Sequence, residues 1–144
     1  MTERLTVVDP DGRRKAYRPL PSSERATALR AGLDAYEHGD FFEAHERLEP
    51  AWMGTDDRAE RSMIQALIKV SAAYVHDARG NPAGITRNLE GARARLQDAI
   101  DGDTDGAGLD ARRLLDDIDD RLRDLEMNSD RPTLGPPTLH RSAR

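Results

Sequence analysis

The segment Ile64-Gln-Ala-Leu-Ile-Lys-Val-Ser-Ala-Ala-Tyr-Val75 carries a single charge, Lys69. Apolar or small residues cover most of its helical circumference, and a helix that is apolar nearly all round is one that other helices enclose. Its ends are marked locally. Asp57 followed by Glu60 is a capping-box pattern, and Gly80 supplies a residue that enters the left-handed region without a Cβ penalty, so the spacing predicts a central helix over 57–79.

Working outward, Asn81-Pro82 caps and opens a helix to about 100, with Ile85, Leu89, Ala92, Leu96 and Ile100 facing inward. Gly84 and Gly91 share one side of it, where close approach of a neighbour is expected. On the other side of the central segment, Asp40 with Glu43 opens a helix whose predicted inward stripe is Phe41, His45, Leu48 and Trp52. Pro50 has no N–H for the Glu46 carbonyl and disfavours helical geometry at Glu49, which predicts a kink or an early end. A first helix over about 23–37 places Ala26, Leu29, Leu33 and Tyr36 inward, is capped by Ser22 or Ser23, and stops at Gly39. These elements form two helical hairpins. Ala44, Leu48 and Ala51 recur at the same offset as Ile85, Leu89 and Ala92, as stacked hairpins would give.

A fifth, amphipathic helix over 109–127 has Ala111, Leu115, Ile118, Leu122 and Leu125 at a/d-like spacing, enough to pack on the parent bundle or to meet a partner helix. The expected fold is therefore a compact all-α bundle of about five helices. Residues 1–21 form an N-terminal extension, in which Leu5–Val8 and Arg13–Tyr17 flank Asp9-Pro-Asp-Gly12 and predict a small β-hairpin. The helical domain spans 22–127. Residues 128–144, with Pro132, Pro136 and Pro137 and no packing pattern, read as a flexible or loosely docked tail.

Composition narrows the function. Residues of the hydrophobic set are 37% and charged residues 34% of 144, without an apolar run long enough to span a bilayer. The start, Met1-Thr-Glu-Arg-Leu-Thr-Val-Val, lacks the basic-then-apolar order of a secretory signal, so a cytoplasmic location is expected. There is no cysteine, which excludes disulfides, thiolate nucleophiles and Cys-ligated metals. A formal charge of −5 with interleaved cations argues against a nucleic-acid backbone binder, and no membrane association is expected. The interaction that the sequence offers is a homodimer or a protein partner through helix 109–127.

The chemistry-bearing residues cluster in Phe41-Phe-Glu-Ala-His-Glu-Arg-Leu-Glu-Pro-Ala-Trp52. At about 100° per residue His45 falls on the predicted inward stripe with Glu49 at its flank, while Glu46 points to another side. His76 shares a face of the central helix with Gln65, Lys69 and Ala72, and packing the hairpins would bring that face onto His45. His45-Glu46-x-x-Glu49 is similar to a His-Glu-x-x-His zinc motif with a carboxylate in place of the second histidine. His45, Glu49 and His76 could hold a divalent metal with Glu46 as base, which would make the chain a metal-dependent hydrolase. The same groups could instead satisfy one another in a buried network, or line a small-ligand pocket. Trp52 is expected in the core, its indole N–H finding a partner. In the linker, Asp101-x-Asp103-x-Asp105-Gly106 matches the first half of a calcium loop, but the match fails at Arg112, where a bidentate carboxylate is required. The residues name no reaction.

Phe41-x-x-x-His45-Glu46-x-x-Glu49-x-x-Trp52, Gln65-x-Leu67-Ile68, and His76 with Gly80-Asn81-x-x-Gly84 together resemble an uncharacterised helical family, domain of unknown function 309, over about residues 30 to 100. The resemblance implies a compact helical domain in which His45, Glu46, Glu49, Trp52, Gln65, His76 and Asn81 are signature positions, without an assigned activity. Lys69 stands where the family often has Gln, and Ile85 where a small residue is common. The reading that follows is a non-enzymatic helical scaffold or regulatory protein with a buried His/Glu network, the alternative being a metal- or small-ligand-binding protein that uses His45, Glu49 and His76.

Overall fold

The computed structural model describes residues 6–8, 14–102, 108–128 and 132–141. Five helices carry the fold: α1 Ser22–Glu37, α2 Phe41–Met53, α3 Arg58–Ala78, α4 Pro82–Asp101 and α5 Ala111–Met127. Each helix packs on the next in sequence, and the tightest of these pairings joins α3 to α4. Among the described residues no helix is long and apolar enough to cross a membrane.

The local punctuation operates as chemistry requires. The Asp40, Asp57 and Asn81 side chains accept from the backbone N–H groups of Glu43, Glu60 and Gly84, supplying partners to donors that a helix start leaves orphaned. Asp110 does the same for Arg113 at the start of α5. Gly39 and Gly80 adopt φ of 79° and 67°, the left-handed conformation that ends α1 and α3. Two local expectations differ. Pro21 occupies the N-cap of α1 and no side chain caps it, since Ser22 is already helical. Pro50 neither ends nor interrupts α2, which continues to Met53: its ring stands on the exposed side, where a lost backbone donor is least costly.

The core is centred on α3. Met63, Ile64, Leu67 and Val70 meet Leu48 of α2, Ile85, Leu89 and Leu96 of α4 and Ile118 of α5, all with almost no exposure. Burying one such side chain is worth about 1.5–3 kcal/mol. On α2 the buried stripe is Ala44, Leu48 and Ala51, not the predicted Phe41–His45–Leu48–Trp52 stripe; Phe41, His45 and Trp52 are half-buried beside it. The reason is α1. A Cβ at Gly32 would lie 2.5 Å from Cγ and Cδ2 of Leu48, so the two helices meet at a glycine and α2 presents alanines on either side of Leu48.

Strands β1 Thr6–Val8 and β2 Arg14–Ala16 pair antiparallel, with Thr6 opposite Ala16 and Val8 opposite Arg14. The connecting Pro-Asp-Gly turn lies outside the described residues, as do Asp103, Asp105 and Gly106 of the half-matched calcium loop. After β2 the chain follows the α2–α3 corner: Arg18 N–H donates to Met53 O at 2.8 Å and Leu20 N–H to Gly54 O at 3.1 Å.

The segment 132–141, for which the sequence offers no packing pattern, lies against α1 and α5. Tyr36 Oη donates to Pro137 O at 2.6 Å, and Arg121 Nε to Gly135 O at 3.0 Å. The Asp124 carboxylate accepts from Thr133 N–H at 2.8 Å and Leu134 N–H at 3.2 Å, and from the Thr133 hydroxyl. Leu109 bridges Arg141, and Pro137 is fully buried. These bonds go largely to backbone, so no side-chain periodicity announces them. Of the a/d-like positions of α5, Ile118 and Leu125 are buried within the chain together with Leu114, while Ala111, Leu115 and Leu122 are half-exposed.

Candidate functional site

Rings fix the register of α2 on α3. Phe41 lies 5.6 Å from Tyr74 between centroids, and the Arg61 guanidinium sits 4.6 Å from the centroid of Trp52. The two helices therefore run antiparallel, with 41 level with 74 and 52 level with 61. Interpolation puts His45 level with about residue 69 and Glu49 level with about residue 65. His76 stands seven residues further along α3, about 10 Å of helix rise. It also points elsewhere: Tyr74, which meets the N-terminal end of α2, is about 160° round the helix from His76.

The predicted convergence of His45, Glu49 and His76 is therefore not formed. Among the described residues no three His, Asp or Glu side chains are grouped so as to hold a metal ion. The closest ionic approach of His45 Nδ1 is to Glu46 Oε1, at 3.6 Å, and these side chains are 32% and 50% exposed. His45 with its neighbouring carboxylate is thus a surface-edge pair and not a buried network. Trp52 is only half-buried, beneath the Arg61 guanidinium.

The buried polar group of this corner is Arg61. It is 3% exposed, and its Nη1 donates to Trp52 O at 2.8 Å and Thr55 O at 3.3 Å, so it ties the last carbonyls of α2 to the start of α3. Nothing in its place in the first turn of the central helix singles Arg61 out in the sequence. The one available signal was Trp52 nine positions earlier, a ring that a guanidinium covers well.

The second half of the signature is built at the α3–α4 turn. Gln65, Lys69, Ala72 and His76 form one stripe of α3 and are all half-exposed, whereas nearly every other position from Arg61 to Tyr74 is buried. On the helical wheel this stripe lies between Arg61, about 80° to one side of Lys69 and facing α2, and Ala59, about 80° to the other and facing α4. Across from it α4 presents glycines. A Cβ at Gly84 would fall 2.5 Å from both Cγ and Nδ1 of His76, and one at Gly91 would fall 2.9 Å from Cδ of Lys69. The polar side chains of α3 thus lie in notches of α4.

His76 is held by more than the notch. Asn81 Oδ1 accepts from Gly84 N–H, which fixes the orientation of the amide and turns Nδ2 toward His76 Nδ1 at 3.1 Å. An NH2 group can only donate, so Nδ1 is the acceptor and the neutral ring carries its proton on Nε2. Such a ring has one lone pair, already used, and one N–H. With Nδ1 so engaged, Nε2 is the ring nitrogen left for another contact.

Two other features lie apart from these residues. A cavity of about 530 Å³ opens at the far end of α3, lined by Asp57, Arg58, Ala59, Asp98, Asp101 and Gly102, and no signature residue borders it. Tyr36 and Tyr74 pack around Phe41 on the side of the C-terminal segment. Burial pushes the Tyr74 phenol up to about 12, and the Tyr36 phenol further in the same direction.

A five-helix domain with a half-open polar stripe on its central helix, opposed by glycines of the next, is a small α-helical module. Residues 29–88 match the family described as Domain of unknown function (DUF309), so this segment of the chain is similar to that family. The matched stretch runs from α1 to Asn88 in α4 and contains both halves of the signature. No curated protein and no solved structure matches the chain.

Proposed function

We propose that this is a non-enzymatic, cytoplasmic binding module whose working surface is the half-open α3 stripe at Gln65, Lys69, Ala72 and His76. One observation carries the reading. The central helix of a bundle, enclosed elsewhere, keeps one face partly exposed and furnishes it with hydrogen-bonding groups, while α4 withholds side chains there at Gly84 and Gly91. A stripe needed only for packing would be aliphatic and covered, as the rest of α3 is. The oriented, donor-only His76 suits recognition better than hydrolysis, and the separation of His45 and Glu49 from it removes the support for a metal-dependent reading.

The test is amide-resolved NMR of the full chain titrated with a panel of small polar molecules. The expected result is a set of hits whose perturbations centre on Gln65, Lys69, His76 and Asn81. Perturbations confined to other surfaces, or none with any probe, overturn the reading. Stoichiometric zinc, manganese or iron in protein purified without an affinity tag, lost in His45→Ala, would restore the metal alternative.

A further inference from the structure

We propose that the face between α1 and α5 is a binding site for proline-containing peptides in the polyproline II conformation, and that the chain's own segment 133–139 is its resident, displaceable occupant. The site is distinct from the α3 stripe, so peptide binding can fail while the stripe stands, and the reverse. The segment is suited to this role by its sequence. Gly135 and Pro136 each precede a proline, which drives both toward extended or polyproline II backbone, and Pro136 and Pro137 have φ fixed by their rings. Residues 135–137 are neither helix nor strand, and a polyproline II stretch bonds none of its own carbonyls. The folded domain supplies the donors. Arg121 Nε on α5 donates to Gly135 O at 3.0 Å, and Tyr36 Oη on α1 donates to Pro137 O at 2.6 Å. At three residues per turn, carbonyls two apart point about 120° from each other, so such a segment needs donors on two walls.

Both donors are held by the helices themselves. Tyr36 is 7% exposed with its ring edge-on to Phe41 at 5.2 Å, and Arg121 bonds to the Tyr74 phenol and donates from Nη1 to Asp117 O at 3.2 Å. A phenol so enclosed calls for an acceptor, which the segment provides. Asp124 completes the site at its other end, accepting from Thr133 N–H at 2.8 Å, from Leu134 N–H at 3.2 Å and from the Thr133 hydroxyl. The segment gives few side chains in return. Pro137 is fully buried and Leu139 partly so against the core, whereas Thr133, Leu134, Gly135, Pro136 and Thr138 are exposed. A segment that served only to complete the core would turn a row of apolar side chains inward. Over 133–137 this one is held through carbonyls, N–H groups, a hydroxyl and one proline ring, the mode by which extended peptides are recognised. The positions that the domain reads define Thr-x-x-Pro-Pro, and a partner segment of that pattern is what the site fits.

The experiment follows the fluorescence anisotropy of a labelled peptide with the sequence of residues 132–141, Pro-Thr-Leu-Gly-Pro-Pro-Thr-Leu-His-Arg, titrated with the full chain. A short tether gives the resident segment an effective concentration on the order of mM, so the wild type should bind the peptide weakly. Pro137→Asp in the protein puts a charge at the buried ring position and unseats the segment, and this variant should bind the peptide about tenfold more tightly or better. Thr133→Pro, at an exposed position, strips the N–H and the hydroxyl that Asp124 accepts, and it serves where Pro137→Asp does not fold. Adding Tyr36→Phe to the released variant should weaken binding by about two- to tenfold, the loss of one hydrogen bond. Pro137→Ala in the peptide should weaken it by about tenfold, as two buried methylenes are removed. Release itself is read from faster amide exchange at Leu134. Equal binding by wild type and released protein overturns the proposal, as does an affinity indifferent to Tyr36→Phe or to Pro137→Ala in the peptide. Folded, released protein that binds no peptide overturns it too. Loss of cooperative unfolding in both release variants would make the segment part of the core, and that also overturns it.

Discussion

Gly84 and Gly91 lie one heptad apart on the same side of the same helix, and substituting alanine at each separates the notch that holds the imidazole from ordinary helix packing. Both substitutions gain helix propensity, worth about 1 kcal/mol for Gly to Ala in a helix interior. They differ in what the new methyl group meets. At Gly91 the nearest atoms are Cδ, Cε and Nζ of Lys69 at 2.9, 3.3 and 3.4 Å, the far end of a flexible chain that can swing aside. At Gly84 they are Cγ and Nδ1 of His76, both at 2.5 Å, followed by Nδ2 of Asn81 at 2.9 Å. Cγ is the root of a rigid ring, so the whole imidazole must leave and its bond to Asn81 goes with it.

Inserting a methyl group into a filled site costs about 1–3 kcal/mol, and the lost hydrogen bond adds about 0.5–1.5 kcal/mol. Set against the propensity gain, Gly84→Ala should destabilise by about 1–3 kcal/mol, while Gly91→Ala should be neutral or stabilising by up to about 1 kcal/mol. Urea denaturation of the two variants and the wild type, compared through the midpoint at constant slope, measures both. Equal stability of the two variants would refute the claim that His76 is seated in the Gly84 notch. Restoration of Gly84→Ala to near wild-type stability by a second change, His76→Ala, would support it further.

Three other outcomes follow from the same contacts. Arg61→Met should cost about 2–4 kcal/mol, because the carbonyls of Trp52 and Thr55 lose a buried donor; it should also alter the emission of Trp52, the single tryptophan, and unchanged stability and fluorescence would remove Arg61 from the corner. Ser62 is 1% exposed and its hydroxyl has no hydrogen-bond partner among the described residues, so Ser62→Ala should be neutral or stabilising by about 1 kcal/mol, and a clear loss of stability in thermal unfolding would show that the hydroxyl is engaged. The bond from the Thr133 hydroxyl, reinforced by the backbone N–H groups of Thr133 and Leu134 and by Asn128, holds the Asp124 carboxyl below the ordinary carboxylate range. Because the folded value is the lower one, docking of 132–141 is favoured above the unfolded value and fades as pH falls through the folded one; amide exchange at Thr133 and Leu134 should speed up in acid, and Asp124→Asn should abolish that dependence.

Helix existence and bounds were legible because they are set within a few residues. Asp40 with Glu43, Asp57 with Glu60 and Asn81 before Gly84 each cap a start, and Gly39 and Gly80 each close an end, with no help from tertiary structure. Facing was less legible. On α2 the Ala44–Leu48–Ala51 stripe and the His45–Trp52 flank are separated by about a quarter turn, and the close approach of Gly32 on α1 to Leu48 favours the first. Arg61 reads as a surface cation until the carbonyls at the end of α2 are seen to converge on it. The segment 132–141 gave no signal because it is bound by its backbone, which has no sequence period.

The same distinction explains why the cluster divided. A motif written in one dimension, with His45, Glu46 and Glu49 close in sequence and His76 appended from the next helix, invites the assumption that all its members share one site. Helix register forbids it: antiparallel packing with 41 level with 74 carries His45 away from His76 by about two turns. The residues that do act together are the less conspicuous ones, Asn81 and Gly84. The amide caps α4 with its oxygen and, having done so, can present only its nitrogen to the imidazole, while the missing Cβ makes the room in which that ring lies. Helix initiation and the protonation pattern of His76 are therefore one arrangement. A change at Asn81 that left the helix capped but reversed the hydrogen-bonding sense, such as Asn81→Asp, would turn a donor into an acceptor beside Nδ1 and move the ring proton from Nε2 to Nδ1. That variant keeps the fold and inverts the chemistry the stripe offers, which is the separation of structure from function that the signature otherwise conceals.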